Sequence, residues 1–209
     1  MSRGFFFSIE GVDGAGKTTQ VQQVAEKLRE VGYSVCTHRE PGGTEVGEGV
    51  RKLLLESAHL PDKTELLLFL AARSALVPIL LQEKAAGNIV LLDRFVDSTI
   101  AYQGFGRGLD VDDIENLNMF ATDGEFPDHT WMLMVPPTIS ASRRAGRGDA
   151  LDRIESAGFE FNERVRNGYV EQAREYSDRI TVVDATENVE DVTKTLLHAM
   201  VKFMLSAAT

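Results

Sequence analysis

The residues Gly11-Val12-Asp13-Gly14-Ala15-Gly16-Lys17-Thr18 fit the pattern G-x-x-x-x-G-K-[ST]. A glycine-rich turn of this kind aims successive backbone N–H groups at a polyphosphate. Lys17 is then placed to reach the β- and γ-phosphates, and the Thr18 hydroxyl to hold Mg²⁺. The loop follows the apolar run Phe5-Phe6-Phe7-Ser8-Ile9 and opens a helical stretch, Thr18–Val31. That context makes it a phosphate-binding loop. Asp13 is electrostatically awkward beside a polyphosphate. Either it accepts a hydrogen bond from a sugar hydroxyl of a second substrate, or it is a solvent-facing position of the loop.

Further residues could join this chemistry. Arg39, in Arg39-Glu40-Pro41-Gly42-Gly43-Thr44, suits bidentate capture of a phosphate, or a surface ion pair with Glu40 or another acid. The run Leu91-Leu92-Asp93 ends in the carboxylate that a magnesium-supporting strand terminus needs, and Arg94 follows it. Phe69 and Arg73 stand four apart on one helix face, so they can sandwich and hydrogen-bond a base; a core Phe beside a surface Arg fits the same spacing. Ser98, Thr99 and Gln103 offer polar groups for a base and sugar. The arginine-rich stretch 141–156, with Arg143, Arg144, Arg147 and Arg153, is short of core residues and reads as a mobile lid over transferring phosphates.

These residues need a scaffold that gathers them. Short apolar runs at Phe5–Glu10, Ser34–Arg39, Asn88–Asp93, Thr130–Val135 and Arg179–Asp184 alternate with helical patterns. The helical patterns are Thr18–Val31, Val46–Leu55, Thr64–Ala86, Val111–Thr122, Phe159–Tyr176 and Val189–Leu205. The alternation predicts an α/β fold: a five-stranded parallel sheet, doubly wound in three layers, in one domain over residues 1–209. The third, fourth and fifth runs are nearly all apolar, which predicts burial on both faces. Thr64 and Asp110 mark helix starts, and Pro78 should kink or interrupt its helix. In such sheets the site lies at the carboxyl ends of the strands, which is where the loop, Arg39, Asp93 and Arg94 fall.

The chain has 209 residues, 43% hydrophobic, with a formal net charge of −10. That charge argues against a nucleic-acid backbone or anionic membrane as the main partner. The one cysteine, Cys36, excludes an internal disulfide, suits a reducing compartment, and reads as a small buried hydrophobe. The Phe5–Phe7 cluster is too short to span a bilayer, and no stretch has the make-up of a signal peptide. The expectation is a soluble cytoplasmic protein.

Taken together, the residues resemble the thymidylate kinase family in its bacterial form. The matching segments are Gly11–Thr19 with Gln20, Arg39-Glu40-Pro41-Gly42-Gly43-Thr44, Phe69-x-x-x-Arg73, Asp93-Arg94-Phe95 and Thr99-x-x-Tyr102-Gln103-Gly104. Further along come Leu151-Asp152-Arg153-Ile154-Glu155 and Phe161-x-x-Arg164-Val165-Arg166-x-Gly168-Tyr169. They are collinear from Phe7 to about Thr186. The resemblance implies transfer of the γ-phosphoryl group of ATP to dTMP, giving dTDP and ADP with Mg²⁺. Gly11, Val12, Asp13, Gly14, Ala15, Gly16, Lys17, Thr18 and Thr19 would bind ATP, and Thr18 and Asp93 the metal. Asp13 resembles the acceptor of the 3′-hydroxyl, and Phe69 the ring that stacks on thymine. Arg73, Thr99 and Gln103 would read the base edge, Arg39 and Arg94 would grip the dTMP phosphate, and Tyr102 would crowd the 2′ position. Catalysis would fall to Lys17, Arg94, Arg147 and Arg153. The family places its charge-stabilising arginine in the phosphate loop or in the lid. Here the loop position is Gly14 and the lid is arginine-rich, similar to the lid-arginine type, and Arg147 is the favoured candidate. Asp184-Ala185-Thr186 resembles the adenine-pocket segment. A homodimer is also implied. Two departures are the irregular arginine spacing of 143–148 and Phe95 where Tyr is frequent.

Three other functions share parts of this pattern. A kinase for dUMP or a nucleoside would differ only in base-pocket residues. A GTPase-type switch would need a late Asn-Lys-x-Asp, which does not occur. A catalytically dead nucleotide-binding regulator sits poorly with intact Lys17, Asp93 and Arg94.

Overall fold

A computed structural model describes residues 3–146, 153–154 and 156–207. Five parallel strands form its centre: β1 (Phe5–Glu10), β2 (Val35–Arg39), β3 (Ile89–Asp93), β4 (His129–Met134) and β5 (Ile180–Asp184). They stand in the order β2-β3-β1-β4-β5. The helices are α1 (Lys17–Glu30), α2 (Glu45–Glu56), α3 (Asp62–Ala85), α4 (Val96–Thr99), α5 (Val111–Ala121), α6 (Pro137–Ala145), α7 (Phe159–Glu175) and α8 (Val189–Ser206). A π-helical segment, Ile100–Gly106, continues directly from α4. The doubly wound α/β architecture expected from the alternation is the one observed.

Strand β1 lies in the middle of the sheet and all six of its residues are buried. Phe5, Phe7 and Ile9 pack with Val24, Leu28, Trp131 and Leu196 on one face, while Phe6 meets Leu76, Leu80 and Phe95 on the other. Burial on both faces holds for β3 and nearly so for β4. It fails for β5, whose Thr181, Val182 and Asp184 are exposed. As the terminal strand of the order, β5 has a strand neighbour on one side only, and the apolar run alone did not carry that information.

Several element boundaries differ from the expectation. Helix α3 begins at Asp62, with Pro61 before it, rather than at Thr64. It also runs through Pro78 without interruption, because its packed faces outweigh the one lost hydrogen bond. Leu66, Leu70, Leu76 and Leu80 are buried, as are Glu65 and Arg73. By length and composition this helix could cross a membrane, but here it is a core helix carrying two buried charges. The expected cap at Asp110 is present, its carboxylate accepting from the Asp113 N–H. Residues 141–145 end a helix, α6, rather than belonging to a loop. Pro137 in the first turn, where proline's missing N–H and fixed φ are tolerated, is the signal that marks this start. Cys36 is only partly buried.

Candidate active site

The register brings the strand ends to one level: Ile9 lies beside Asp93, and Asp93 beside Arg39. The phosphate-binding loop leaves β1 here. Its backbone demands glycine at Gly11, where φ is +139° and a Cβ would stand 2.4 Å from the Leu133 carbonyl oxygen. Gly14 (φ +82°) is closed off differently, since a Cβ there would lie 2.5 Å from the Ser140 carbonyl oxygen and 3.2 Å from Arg144 Cγ. Helix α6 therefore occupies the space that a side chain at position 14 would need. It also braces the loop through Ser140, whose hydroxyl donates to the Asp13 carbonyl at 2.7 Å.

Lys17 is buried, and its Nζ donates to the Val12 carbonyl at 3.0 Å. Burial and the nearby Arg94 charge lower its ammonium to about 8, against the pull of Asp13, Asp93 and Glu10. The Thr18 hydroxyl donates to Asp93 Oδ2 at 2.5 Å. A hydroxyl and a carboxylate of two adjacent elements thus meet next to Lys17, a pair of hard oxygen donors of the kind magnesium takes.

Arg94 holds the centre. Its φ of +72° is unusual for a side chain with a Cβ. The turn is fixed by its N–H donating to the Ile9 carbonyl at 3.1 Å. The guanidinium pairs with Asp13 Oδ1 at 2.5 Å and donates to Gly11 O, Ser98 Oγ, Tyr169 OH and Tyr102 OH at 2.9–3.1 Å. Tyr102 OH donates to Asp13 Oδ2 at 2.6 Å. Burial would raise the Asp13 carboxyl, but the Arg94 and Lys17 charges and these hydrogen bonds hold it well below the usual carboxylate range. Asp13 is thus an ionised acceptor clamped beside two cations.

Arg73, Thr99 and Gln103 are buried, and together with the half-buried Phe69 they line the same cavity. Arg73 lies in a polar socket. Nε and Nη2 donate to Glu40 at 2.6–3.2 Å, and Nη1 to Thr99 Oγ1 at 2.9 Å and Asn118 Oδ1 at 2.5 Å. Four of the five guanidinium hydrogens have partners among the described residues. Glu40 therefore pairs with Arg73 and not with Arg39. Arg39, half exposed, meets Glu48 at 3.2 Å while still lining the cavity. Glu40→Ala is expected to cost about 3–5 kcal/mol by leaving the Arg73 charge buried without its counter-ion. Urea unfolding measures this directly.

Gln103 donates to Glu65 Oε1 at 2.8 Å. The same buried carboxylate receives Arg107 at 3.0 Å and Arg153 at 2.6 Å. Arg153 also donates to the Leu54 carbonyl. It is thus held by α2 and α3, whereas its neighbour Ile154 lines the cavity. Arg143 lines the cavity with its Nη1 3.5 Å from the Ala15 carbonyl. Arg147 lies outside the described residues, as do Leu151, Asp152 and Glu155 of the matching segment. Glu10, Glu65 and Tyr169 were not predicted as site residues. Glu10 and Glu65 carry a sequence signal, an acid set in an otherwise apolar strand or helix face, and Tyr169 lies in a matching segment.

The cavity, about 740 Å³, runs from Phe69 and Arg73 past Arg94 and Lys17 to Ala185, Asn188 and Val192. A P-loop at the switch of a parallel sheet, with arginines converging on it from neighbouring strand ends, defines a P-loop phosphotransferase.

Residues 9–196 match the family model described as thymidylate kinase. The chain is 43% identical over 194 residues to a thymidylate kinase of Geobacillus sp. (strain WCH70), covering 91% of this chain and 92% of that one. It is 39% identical over 207 residues to a thymidylate kinase of Caldanaerobacter subterraneus subsp. tengcongensis, covering 98% and 99%. A crystal structure of thymidylate kinase from Ehrlichia chaffeensis superposes with a TM-score of 0.77 at 35% identity, covering 94% of this chain and 98% of that one. The chain belongs to the thymidylate kinase family, enzymes that phosphorylate dTMP to dTDP with ATP as donor.

Proposed function

We propose that each end of the cavity takes one substrate and that catalysis rests on alignment and charge rather than on a strong base. A phosphate is already a competent nucleophile, so holding it in line and neutralising the transferring group suffices. Residues Gly11–Thr19 cradle the ATP phosphates, Lys17 reaching the β- and γ-groups, and adenine lies along Ala185 and Val192. Thr18 and Asp93 hold Mg²⁺, which supplies charge neutralisation to the phosphates. At the other end Phe69 stacks on thymine, and Arg73, Thr99 and Gln103 read its edge. Arg39 and Arg94 grip the dTMP phosphate.

The observation that carries this reading is the Asp13–Arg94–Tyr102 cluster. It joins the phosphate loop to the Phe69–Arg73 end and has an ionised acceptor ready for a sugar hydroxyl. Arg147 and Arg153 belong to a lid that follows α6 and whose arginines neutralise transition-state charge, with lid closure excluding water that would hydrolyse ATP. Residues 1–209 act as one kinase domain. Leu53, Leu67, Met119 and Phe120, large and exposed on α2, α3 and α5, support a homodimer. The net charge of −10 supports a protein with no nucleic-acid or membrane partner, and the cytoplasm is the proposed location.

Comparison of kcat/KM for dTMP, dUMP, ribothymidine monophosphate and the 3′-deoxy analogue tests this reading. The thymine methyl adds about 1–3 kcal/mol, so dUMP is accepted slowly. Loss of the 3′-hydroxyl costs more, since it removes a hydrogen bond to the ionised Asp13 carboxylate, and bonds to charged groups are worth more than a methyl contact. Equal efficiency with ribose and deoxyribose would overturn the role of Tyr102, and indifference to the 3′-hydroxyl that of Asp13.

A further inference from the structure

We infer that Glu10 is the positioning residue for the acceptor phosphate: without touching substrate, it sets both the backbone and the guanidinium orientation of Arg94. It ends the central strand and is fully buried. Both of its oxygens are engaged by the segment that follows Arg94, and one of them also by Tyr169 of α7. Oε1 accepts the Phe95 N–H at 2.6 Å, and Oε2 accepts the Ser98 hydroxyl at 2.6 Å and Tyr169 OH at 3.2 Å. Ser98 and Tyr169 are in turn the groups that accept Arg94 Nη1, at 2.9 and 3.0 Å.

The polarity of this arrangement follows from proton counting. Each hydroxyl has one hydrogen. With a carboxylate at position 10, the Ser98 hydrogen turns toward Glu10 and the Tyr169 hydrogen toward Glu10 or toward Ser98 Oγ, 2.8 Å away, so both oxygens keep lone pairs to accept from Arg94. The Phe95 N–H, pinned by the same carboxylate, fixes the peptide immediately after a residue at φ +72°. A carboxamide in its place must donate from one side. Since the Phe95 N–H needs an acceptor, the amide NH₂ would face Ser98 and Tyr169, compete with Arg94 for their lone pairs and drive their hydrogens toward the guanidinium. Arg94 would then lose the Ser98 and Tyr169 acceptors that hold Nη1, and with them the orientation that sets Nη2 on Asp13 and Tyr102. Burial, with Asp97 nearby, raises the Glu10 carboxyl to about 7, against hydrogen bonds and the Arg94 charge. At pH 8.5 the carboxylate form therefore prevails.

The inference rests on Arg94 gripping the acceptor phosphate, so the experiment includes that residue. Steady-state kinetics at pH 8.5 on Glu10→Gln, the double variant Ser98→Ala/Tyr169→Phe, and Arg94→Ala separate KM for dTMP from KM for ATP and from kcat. The expected result for Glu10→Gln is a rise in KM for dTMP of roughly 10- to 100-fold, with KM for ATP within about twofold. The double variant should reproduce the same selective defect, and combining it with Glu10→Gln should add little, since the three groups act through one chain. An unchanged KM for dTMP in Glu10→Gln, or equal rises in both KM values, overturns the inference. If Glu10→Gln does not fold, an unchanged KM for dTMP in the double variant overturns it instead. If Arg94→Ala itself leaves KM for dTMP unchanged, the reading of Arg94 has failed, and this inference with it. A selective defect in Arg94→Ala alone leaves that reading standing while removing Glu10 from it.

Discussion

Lys17→Ala eliminates measurable phosphoryl transfer, with kcat lowered on the order of 10³-fold or more, and leaves the fold intact. The catalytic loss follows from removing the one cation that the phosphate loop carries toward the transferring group, where preorganised charge supplies most of the rate. The fold survives because this ammonium, although buried, makes a single hydrogen bond among the described residues, to the Val12 carbonyl. Its folded pKa, about 8 against an ordinary 10.5, means that the charged form is disfavoured in the native state. That penalty is in full force below pH 8 and is relieved as pH rises from about 8 to 10.5. Lys17→Ala should therefore melt no lower than wild type at pH 7, and any Tm advantage should shrink over that window. A coupled ADP-release assay together with thermal melts checks both parts. Near-normal turnover in a folded variant would remove this loop as the donor site.

Arg147→Ala should lower kcat by roughly 10²–10³-fold while KM for either substrate changes little, because a lid arginine acts on charge that develops only in the transition state. The described arginines define the comparison. Arg143 lies at the loop beside the Ala15 carbonyl, and Arg153 is held by Glu65 and the Leu54 carbonyl. Arg144 stacks its stem against Gly14. Single alanine variants at 143, 144, 147 and 153, assayed side by side, locate the catalytic cation. A silent Arg147→Ala with a crippled variant among the others moves the role to that residue. Four silent variants would dismiss the lid arginines altogether.

The fold was legible because its signals are local and repeated. Five apolar runs became five strands with ends shifted by at most one residue, since buried parallel strands cannot hide their composition. What local signals could not supply was position in the sheet. Thr181 and Val182 read as core, but the terminal place of β5 leaves them exposed. Helix α6 was hidden because its polar, arginine-rich face resembles a loop, although Pro137 marks its start.

The site was legible in part for a related reason. Lys17, Thr18, Asp93 and Arg94 sit beside motifs whose spacing has a mechanism, and the strand register brings them together. The pairings of the buried acids around the site were not legible, although the acids themselves stand out in apolar surroundings. Glu10 reaches Phe95, Ser98 and Tyr169, and Glu65 reaches Gln103, Arg107 and Arg153. These partners lie tens to more than a hundred residues away, and no periodicity encodes such pairings. Arg39 shows the same limit: the expected ion-pair alternative exists, but its acid is Glu48 rather than the adjacent Glu40.

The most direct test of the central claim is ADP release from ATP across a panel of nucleoside monophosphates, with the phosphorylated product identified for each. The expected result is dTDP formed one-for-one with ADP and the highest kcat/KM for dTMP. dUMP should be roughly 10- to 100-fold lower, and AMP, GMP and dCMP near background. ADP release that does not depend on the acceptor, or dCMP or AMP turned over as efficiently as dTMP, would contradict it.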